Sequence, residues 1–224
     1  DSWIQNVAFK VDAPLTDWWR SRLSLGESVD DGDNIDALTA INTGDFRTKR
    51  ESVSWQNDFS VLEGQLITLG FDFYNDDLDS SNTYQDSDGN PVSDRYNRAT
   101  FAQYQGTYAI FDIMVGIRED DDEVFGTKTT GNLALGIQVD DYHRVVLSWA
   151  EGFKAPTFND LYWPPSMFSA GNPNVMPEES ENYEVDFSGY YDVWNWQLSL
   201  YQNRVDNLIQ WAPGLPKTRS GKIM

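Results

Sequence analysis

Alternation of apolar and polar side chains at every second residue runs through nearly the whole chain and constrains its fold more than any other feature. In the segment GNLALGIQV, residues 131–139, the side chains of Leu133, Leu135 and Ile137 share one face of an extended strand, and Asn132 falls on the other. The same period recurs in QLITLGFDF (65–73), FDIMVGIR (111–118) and WNWQLSLYQN (194–203). Because successive side chains of a β-strand point to opposite faces, this pattern predicts an all-β, antiparallel chain with one apolar and one polar face.

The lengths of the strands and of their connections favour a membrane barrel. The pattern gives about ten strands of roughly 8 to 13 residues, close to the 9–11 tilted residues that cross a bilayer. Short turns at 12–17, 62–65, 105–108, 140–143 and 192–194 alternate with long segments, three of them strongly acidic, at 30–46, 76–96, 119–126 and 152–180. This arrangement is typical of an up-and-down transmembrane β-barrel with short periplasmic turns and long extracellular loops.

Aromatic residues cluster near the predicted strand ends, where a membrane barrel carries its interfacial girdles. They are Trp18, Trp19, Trp149, Tyr190, Tyr191, Trp194 and Trp196. A soluble secreted β-sandwich that binds carbohydrate through surface aromatics has a similar alternation and remains the structural alternative. Solubility without detergent would separate the two.

Composition and motifs exclude several classes of function. The net charge of −20 argues against binding to nucleic acid, and the 14% aromatic content argues against a disordered acidic chain. The chain lacks cysteine, and its one histidine, His143, falls in a predicted tight turn. The sequence contains no G-x-S-x-G, P-loop or H-E-x-x-H motif, so we do not expect an enzyme.

Two long motifs interrupt the alternation. The first, GFKAPTFNDLYW, spans residues 152–163, and the second, GNPNVMPEESENYE, spans 171–184. The next strand contains YQNRVDNLI at 201–209. In this order and spacing, the motifs resemble the C-terminal half of TonB-dependent outer-membrane receptors, and within them the cobalamin (vitamin B12) receptor branch.

The resemblance implies that residues 1–212 form part of a larger barrel of the 22-stranded type. A complete receptor of this kind also has a plug domain through which it contacts TonB, and no plug is recognisable here. We therefore expect an internal fragment or a partial gene product. The tail LPKTRSGKIM, within residues 213–224, does not follow the barrel pattern. It is similar to the C-terminal lysine motif of acetyl-CoA synthetase-like enzymes, in which the lysine matching Lys222 contacts the adenylate, although a basic extracellular loop is the plainer interpretation.

The resemblance also implies a function and a location. We expect uptake of a scarce nutrient, cobalamin or alternatively a siderophore or other metal chelate, across the outer membrane of a Gram-negative bacterium, with outer-membrane lipid around the barrel. The candidates for contact with the small-molecule ligand lie in the proline-rich loop: Phe153, Tyr162, Trp163, Phe168, Asn172 and Asn174. Packing within the loop is the alternative role for its aromatic residues.

Acidic loop segments suggest calcium, a hard cation that prefers carboxylate and carbonyl oxygens. Receptors of the cobalamin branch use calcium to order extracellular loops, although their ligands cannot be matched here residue by residue. The candidate metal ligands are Asp86, Asp88, Asn90 and Asp94 in one segment, and Asp30, Asp31, Asp33 and Asp36 in another. Solvated acidic loops without a metal are the alternative.

Overall fold

The computed structural model describes residues 2–35, 42–81, 84–165, 170–210 and 217–223, which form one antiparallel sheet of eleven strands that follow one another in chain order. The strands are β1 (Ser2–Pro14), β2 (Trp19–Ile35), β3 (Asn42–Leu62), β4 (Gln65–Ser80), β5 (Asp94–Tyr108), β6 (Phe111–Asp122), β7 (Gly126–Gln138), β8 (His143–Lys154), β9 (Glu178–Tyr191), β10 (Trp194–Gln210) and β11 (Lys217–Ile223), with helix α1 (Phe158–Tyr162) between β8 and β9.

This topology confirms the predicted all-β, up-and-down barrel segment. The β-sandwich alternative is wrong, because every strand in the described part of the chain belongs to the same sheet rather than to two facing sheets. Within those described ranges, no helix is both long enough and apolar enough to cross a membrane.

The pairing register places the apolar side chains of neighbouring strands side by side. Leu135 lies opposite Leu147, Leu147 opposite Val185, and Val185 opposite Leu200. Leu147, Val185 and Leu200 are exposed, as are most large apolar residues on this face. A contiguous apolar surface of this kind on a barrel wall is suited to hydrocarbon, which needs no hydrogen bonds from it.

The opposite face carries polar and charged side chains, many of them paired across strands. Arg118 Nη1 lies 2.6 Å from Asp72 Oδ2, and Arg144 forms an ion pair with Asp112. Gly70 also lies on this face, directly beneath the ring of Phe101, which occupies the space that a Cβ would need. Such a wall is compatible with a wet interior.

The strands extend further into the acidic segments than the sequence pattern predicts. The segments 30–46, 76–96 and 119–126 are therefore shorter as loops than expected, because β2 to β7 continue into them. Cross-strand ion pairs stabilise these extensions: Arg50 Nε is 2.6 Å from Asp76 Oδ1, and Arg98 Nη2 is 2.5 Å from Asp121 Oδ2. Alternating apolar residues are not needed where opposite charges face each other.

One predicted turn is displaced. Residues 105–108 belong to β5, and the turn to β6 is formed by the next two residues instead. Ala109 there has a positive φ of 52°, which an L-residue adopts in a tight turn at some cost in strain.

Aromatic residues form clusters at the end of the sheet where the tight turns lie, as predicted for all the named residues except Trp149, which lies within β8. The rings of Trp18, Trp19 and Phe59 pack together, with centroid distances of 5.9 to 6.3 Å. The Tyr191 ring stacks with the rings of both Tyr142 and Trp194. This position suits the interfacial girdle of a membrane barrel.

The C-terminal tail contributes the eleventh strand. β11 pairs antiparallel with β10, and Lys222 lies opposite Arg204 in the register. The described residues thus form eleven strands, in agreement with the predicted number of about ten. The likeness of residues 213–224 to the lysine motif of acetyl-CoA synthetase-like enzymes stays a prediction.

Adjacent residues on β10 provide a test of the two faces. Replacing Leu198, which is exposed on the apolar face, with arginine is expected to destabilise the folded barrel by about 2–4 kcal/mol if this band meets hydrocarbon. Gln197→Arg is the control, because its side chain lies on the polar face beside Asp186. Urea unfolding in lipid vesicles, followed by electrophoretic mobility, measures both; equal losses would contradict the assignment of the faces.

Candidate functional site

The connection from β8 to β9, residues 155–177, begins with a short capped helix. Thr157 is the N-cap of α1: its Oγ1 accepts a hydrogen bond from Asp160 N at 3.2 Å, and Asp160 Oδ2 accepts one from Thr157 N at 2.9 Å. These reciprocal bonds satisfy backbone donors at the helix start. Sequence reasoning missed this helix, although the spacing of Thr157 and Asp160 is a capping-box signal.

A close backbone approach at Gly171 folds the connection back on itself. Gly171 N donates to Trp163 O, and Asn172 N donates to Asp160 O, both at 2.8 Å. A Cβ at position 171 would lie 2.4 Å from Trp163 N and 2.6 Å from Tyr162 N. Only glycine fits, because the neighbouring atoms are backbone and cannot move aside.

An apolar cluster joins this connection to the loop between β4 and β5, residues 81–93. Its buried members are Leu78, Tyr84 and Phe158, and Phe46, Val92, Tyr162 and Trp163 pack against them. Tyr84, which is 3% exposed, donates from its hydroxyl to Asn159 Oδ1 at 2.8 Å and meets the Trp163 ring edge to face. The two loops therefore form one packed unit, which we call the cap.

Burial in the cap changes the acidity of its tyrosines. Desolvation raises the pKa of Tyr84 to about 12, because the phenolate would be separated from water. Desolvation also raises the pKa of Tyr162, and the positive charge of Arg95 opposes part of that shift. Both hydroxyls therefore ionise only at a higher pH than an exposed tyrosine does.

Arg95 connects the cap to the polar face of the sheet. Its Nη1 donates to Pro156 O at 2.7 Å, and its guanidinium lies 5.3 Å from the centre of the Phe158 ring. Its Nε lies 4.0 Å from Asp122 Oδ2 and has no hydrogen-bond partner. Asp122 in turn accepts hydrogen bonds from Val124 N and Phe125 N in the β6–β7 turn.

A cavity of about 530 Å³ opens between the start of the cap and the polar face. We call it the cap cavity. It is lined by Arg50, Tyr74, Arg95, Asn97, Arg118, Asp120, Asp122, Thr130, Phe153, Lys154, Ala155 and Thr157. Charged groups with two aromatic rings can hold a polar organic molecule by hydrogen bonds and stacking.

The structure brings one of the predicted ligand-contact residues to this cavity. Phe153 lines it, whereas Tyr162 and Trp163 pack within the cap. Asn172 Oδ1 accepts a hydrogen bond from Asn174 N at 3.0 Å, so this pair forms a local turn. Phe168 lies outside the described residues. Ligand contact by these residues stays a prediction. The cationic lining was missed, because its members are far apart in sequence.

The first set of predicted calcium ligands is organised as a turn. Asp86 Oδ1 accepts hydrogen bonds from Asp88 N at 2.9 Å and Asn90 N at 2.8 Å, and its Oδ2 accepts one from Asn90 Nδ2 at 3.0 Å. The hydrogen bonds from Asn90 are the largest cause of a lowered pKa at Asp86. Asp94 lies in β5, opposite Asp77.

The second set lies mainly in strand β2. Asp30 and Asp31 are consecutive strand residues, so their side chains point to opposite faces and cannot share one ion. Asp31 is 3.8 Å from Arg47, Asp33 lies opposite Asp45, and Asp36 is outside the described residues. In the part of the chain that the structure describes, no three acidic or histidine side chains form a metal-binding group. Calcium binding stays a prediction.

The chain's one histidine belongs to a tight turn. His143 Nδ1 lies 2.9 Å from Asp140 Oδ1, and its Nε2 lies 2.9 Å from the Tyr191 hydroxyl. Hydrogen bonds from Tyr142 N and from the His143 side chain lower the pKa of Asp140. These contacts stabilise the β7–β8 turn at the end of the sheet opposite the cap.

A family model described as "TonB dependent receptor-like, beta-barrel" matches residues 1–222. Curated relatives include the vitamin B12 transporter BtuB of Photobacterium profundum, 31% identical over 99% of this chain and 34% of the relative. The vitamin B12 transporter BtuB of Vibrio vulnificus (strain YJ016) is 34% identical over 89% of this chain and 32% of the relative. The chain thus spans about a third of the length of the curated relatives it matches.

Solved structures with the same fold include the siderophore receptor PirA from Pseudomonas aeruginosa. The two structures superpose with a TM-score of 0.83 at 17% sequence identity. The match covers 98% of the present chain and 44% of PirA. A mutant of the ferric enterobactin receptor from the same organism, in complex with enterobactin, gives a TM-score of 0.76 at 16% identity. At these identities the likeness shows the fold.

The contact at Gly171 predicts that Gly171→Ala loosens the cap. The added methyl group must displace backbone atoms, which is expected to cost about 1–3 kcal/mol locally. Hydrogen exchange of residues 157–163 should become faster, while the strands keep their protection. Asn174→Ala is the control, because Asn174 is exposed and its backbone N–H remains available. Unchanged exchange in Gly171→Ala would contradict the proposed packing.

The raised pKa of Tyr84 predicts a pH dependence of the cap. The neutral hydroxyl stabilises the cap fully below about pH 10, and this contribution is lost as the pH rises towards the folded pKa of about 12. Tyr84→Phe removes the hydrogen bond to Asn159, costs about 1 kcal/mol, and reduces this pH dependence to the part that Tyr162 contributes. Tyr142→Phe, at the opposite end of the sheet, is the control in hydrogen-exchange measurements between pH 9 and about 12. A pH dependence as large in Tyr84→Phe as in the wild type would refute the assignment.

Proposed function

Because the chain belongs to the TonB-dependent receptor-like β-barrel family, we propose that it forms part of the wall and mouth of an outer-membrane transporter for cobalamin. The observation that carries this proposal is its similarity to vitamin B12 transporters over 99% of its length, at 31% identity. The matched region includes the cap and the cap cavity. In this proposal the protein is located in the outer membrane of a Gram-negative bacterium, with lipid around the apolar face.

The geometry supports separate roles for the apolar face, the polar face and the cap. The apolar face provides the contact with the bilayer, and the polar face provides the wall of an aqueous interior. The two loops of the cap lie over the end of the sheet opposite the tight turns. A ligand arriving from outside would first meet the protein there. A plug domain, which is not recognisable in this chain, would provide the link to TonB and hence to the energy that drives uptake.

The alternative cargo is a siderophore or another metal chelate. Receptors for such ligands share the barrel architecture, so the fold does not distinguish the two cargoes. The distinction has to come from groups in the mouth that recognise the ligand. A transport experiment with both classes of ligand therefore tests the choice directly.

The full product of the native gene, expressed in a Gram-negative strain that lacks its own cobalamin receptor, should restore uptake of radiolabelled cyanocobalamin at nanomolar concentration. Uptake should be lost in a matched strain without TonB, because the transport step requires its energy. Failure to take up cyanocobalamin, together with growth on a ferric siderophore as iron source, would favour the alternative cargo. Surface display of the protein, checked by immunolabelling, is the control for both strains.

A further inference from the structure

The charges around the cap cavity balance one another. Four cations line it together with two carboxylates, and three more carboxylates outside the lining form ion pairs with these cations. The cations are Arg50, Arg95, Arg118 and Lys154, and the carboxylates are Asp72, Asp76, Asp120, Asp122 and Glu178. The cavity therefore offers no excess positive charge to an anion, and it belongs to a chain of net charge −20.

The carboxylates of the lining are buried and already accept hydrogen bonds. Asp120 accepts from Arg118 Nε at 2.9 Å and from Asn97 Nδ2 at 3.0 Å. Asp122 accepts from two backbone N–H groups of the β6–β7 turn. The side chain of Asp120 is 15% exposed and that of Asp122 is 1% exposed. A molecule in the cavity would therefore find few free acceptors in its wall.

The groups that remain free are N–H donors. Arg50 donates to Asp76 through Nε and Nη2, so its Nη1 has no partner among the described residues, and its side chain is 51% exposed. Lys154 Nζ lies 3.4 Å from Glu178, and its side chain is 63% exposed, so its other donors remain available. Buried Arg95 adds an Nε without a hydrogen-bond partner.

Donors whose charge is balanced by carboxylates suit acceptor oxygens that carry no charge. The carbonyl oxygen of a carboxamide accepts hydrogen bonds without requiring an excess of positive charge. A polyanionic chelate would gain little from ion pairs that are already formed, and the net negative charge of the chain would repel it. The rings of Tyr74 and Phe153 add apolar contacts within the same cavity.

We propose that the cap cavity is a hydrogen-bonding subsite for uncharged carboxamide groups of the transported molecule, and that it discriminates against polyanionic chelates. The inference deepens the proposed function and rests on it, because the corrin ring of cobalamin carries several carboxamide side chains. Catecholate chelates of iron, in contrast, carry several negative charges. The cavity would thus supply the distinction between cargoes that the barrel fold does not.

The test uses the full product of the native gene in detergent and calorimetric titration with three probes. Cyanocobalamin and ferrichrome are uncharged overall and rich in amide carbonyl groups, whereas ferric enterobactin is a polyanion. Each titration is carried out at about 50 mM and about 500 mM NaCl, because salt screens attraction between charges but leaves short hydrogen bonds largely unaffected. Thermal melting verifies that each variant is folded.

Paired substitutions change the donors while they keep the net charge of the chain. Arg50→Leu with Asp76→Asn removes one ion pair and its free N–H groups, and Arg50→Gln with Asp76→Asn removes the same charges but restores an amide donor. Arg98→Leu with Asp121→Asn is the matched control, because this ion pair has similar chemistry. Arg98 follows Asn97 of the cavity lining directly in β5, so its side chain points to the opposite face of the sheet.

We expect the wild type and the Arg98 control to bind cyanocobalamin equally. Arg50→Leu with Asp76→Asn should bind it about three- to tenfold more weakly, and Arg50→Gln with Asp76→Asn should recover part of this loss. The affinity of the wild type for cyanocobalamin should differ by less than about twofold between the two salt concentrations. Ferric enterobactin should not bind at micromolar concentration.

The outcomes separate this inference from the proposed function. If cyanocobalamin binds equally to all variants, loses as much affinity in the Arg98 control, or binds more than about tenfold more weakly at high salt, the subsite is wrong and the proposed cargo stands. Binding of ferric enterobactin to the wild type overturns the inference, as does failure of both uncharged probes to bind. If ferrichrome binds with the expected order of variants and cyanocobalamin does not bind, the subsite is supported and the proposed cargo is wrong.

Discussion

The pairing register between neighbouring strands is the constraint on which the rest of the structure depends. Side chains alternate between faces at every residue, so a shift of one position would exchange the apolar and polar faces of a strand. The alignment of Leu135, Leu147 and Val185 across β7, β8 and β9 therefore fixes at the same time where the ion pairs of the polar face lie. The cap cavity exists because six strands, β3 to β8, keep this common register.

The cap shows how irregular loops can be held in a defined position without a sheet around them. Three contacts restrict the conformations that the β8–β9 connection can adopt. They are the capped start of helix α1, the close backbone approach at Gly171 and the packing against buried Tyr84. Arg95 then joins the loop to the barrel wall through the carbonyl of Pro156. The β8–β9 connection is thus joined both to the β4–β5 loop and to the polar face. A displacement of one of these parts would therefore displace the others.

Much of this architecture could be predicted from the sequence, because period two and the lengths of the turns are local properties. The ends of the strands could not be predicted in the same way. Ion pairs such as Arg50–Asp76 stabilise strands in segments whose sequence is typical of acidic loops. The sequence identified Tyr162 and Trp163 as candidates for ligand contact. In the structure they pack against the cluster that contains Tyr84, a residue distant in sequence. The cap cavity was not predictable, because its charged residues have no common motif.

The length of strand β3 has a consequence for the position of the mouth. Its 21 residues would span about 70 Å along the strand axis, or about 50 Å of height at a 45° tilt, whereas the apolar band of such a barrel is about 25 Å tall. In an outer-membrane location, the strand extensions that the cross-strand ion pairs stabilise would therefore form a rim well above the bilayer. In the proposed transporter, a ligand would meet the protein at a distance from the lipid surface, and the loops of the rim could change in sequence without altering the strands that contact the bilayer.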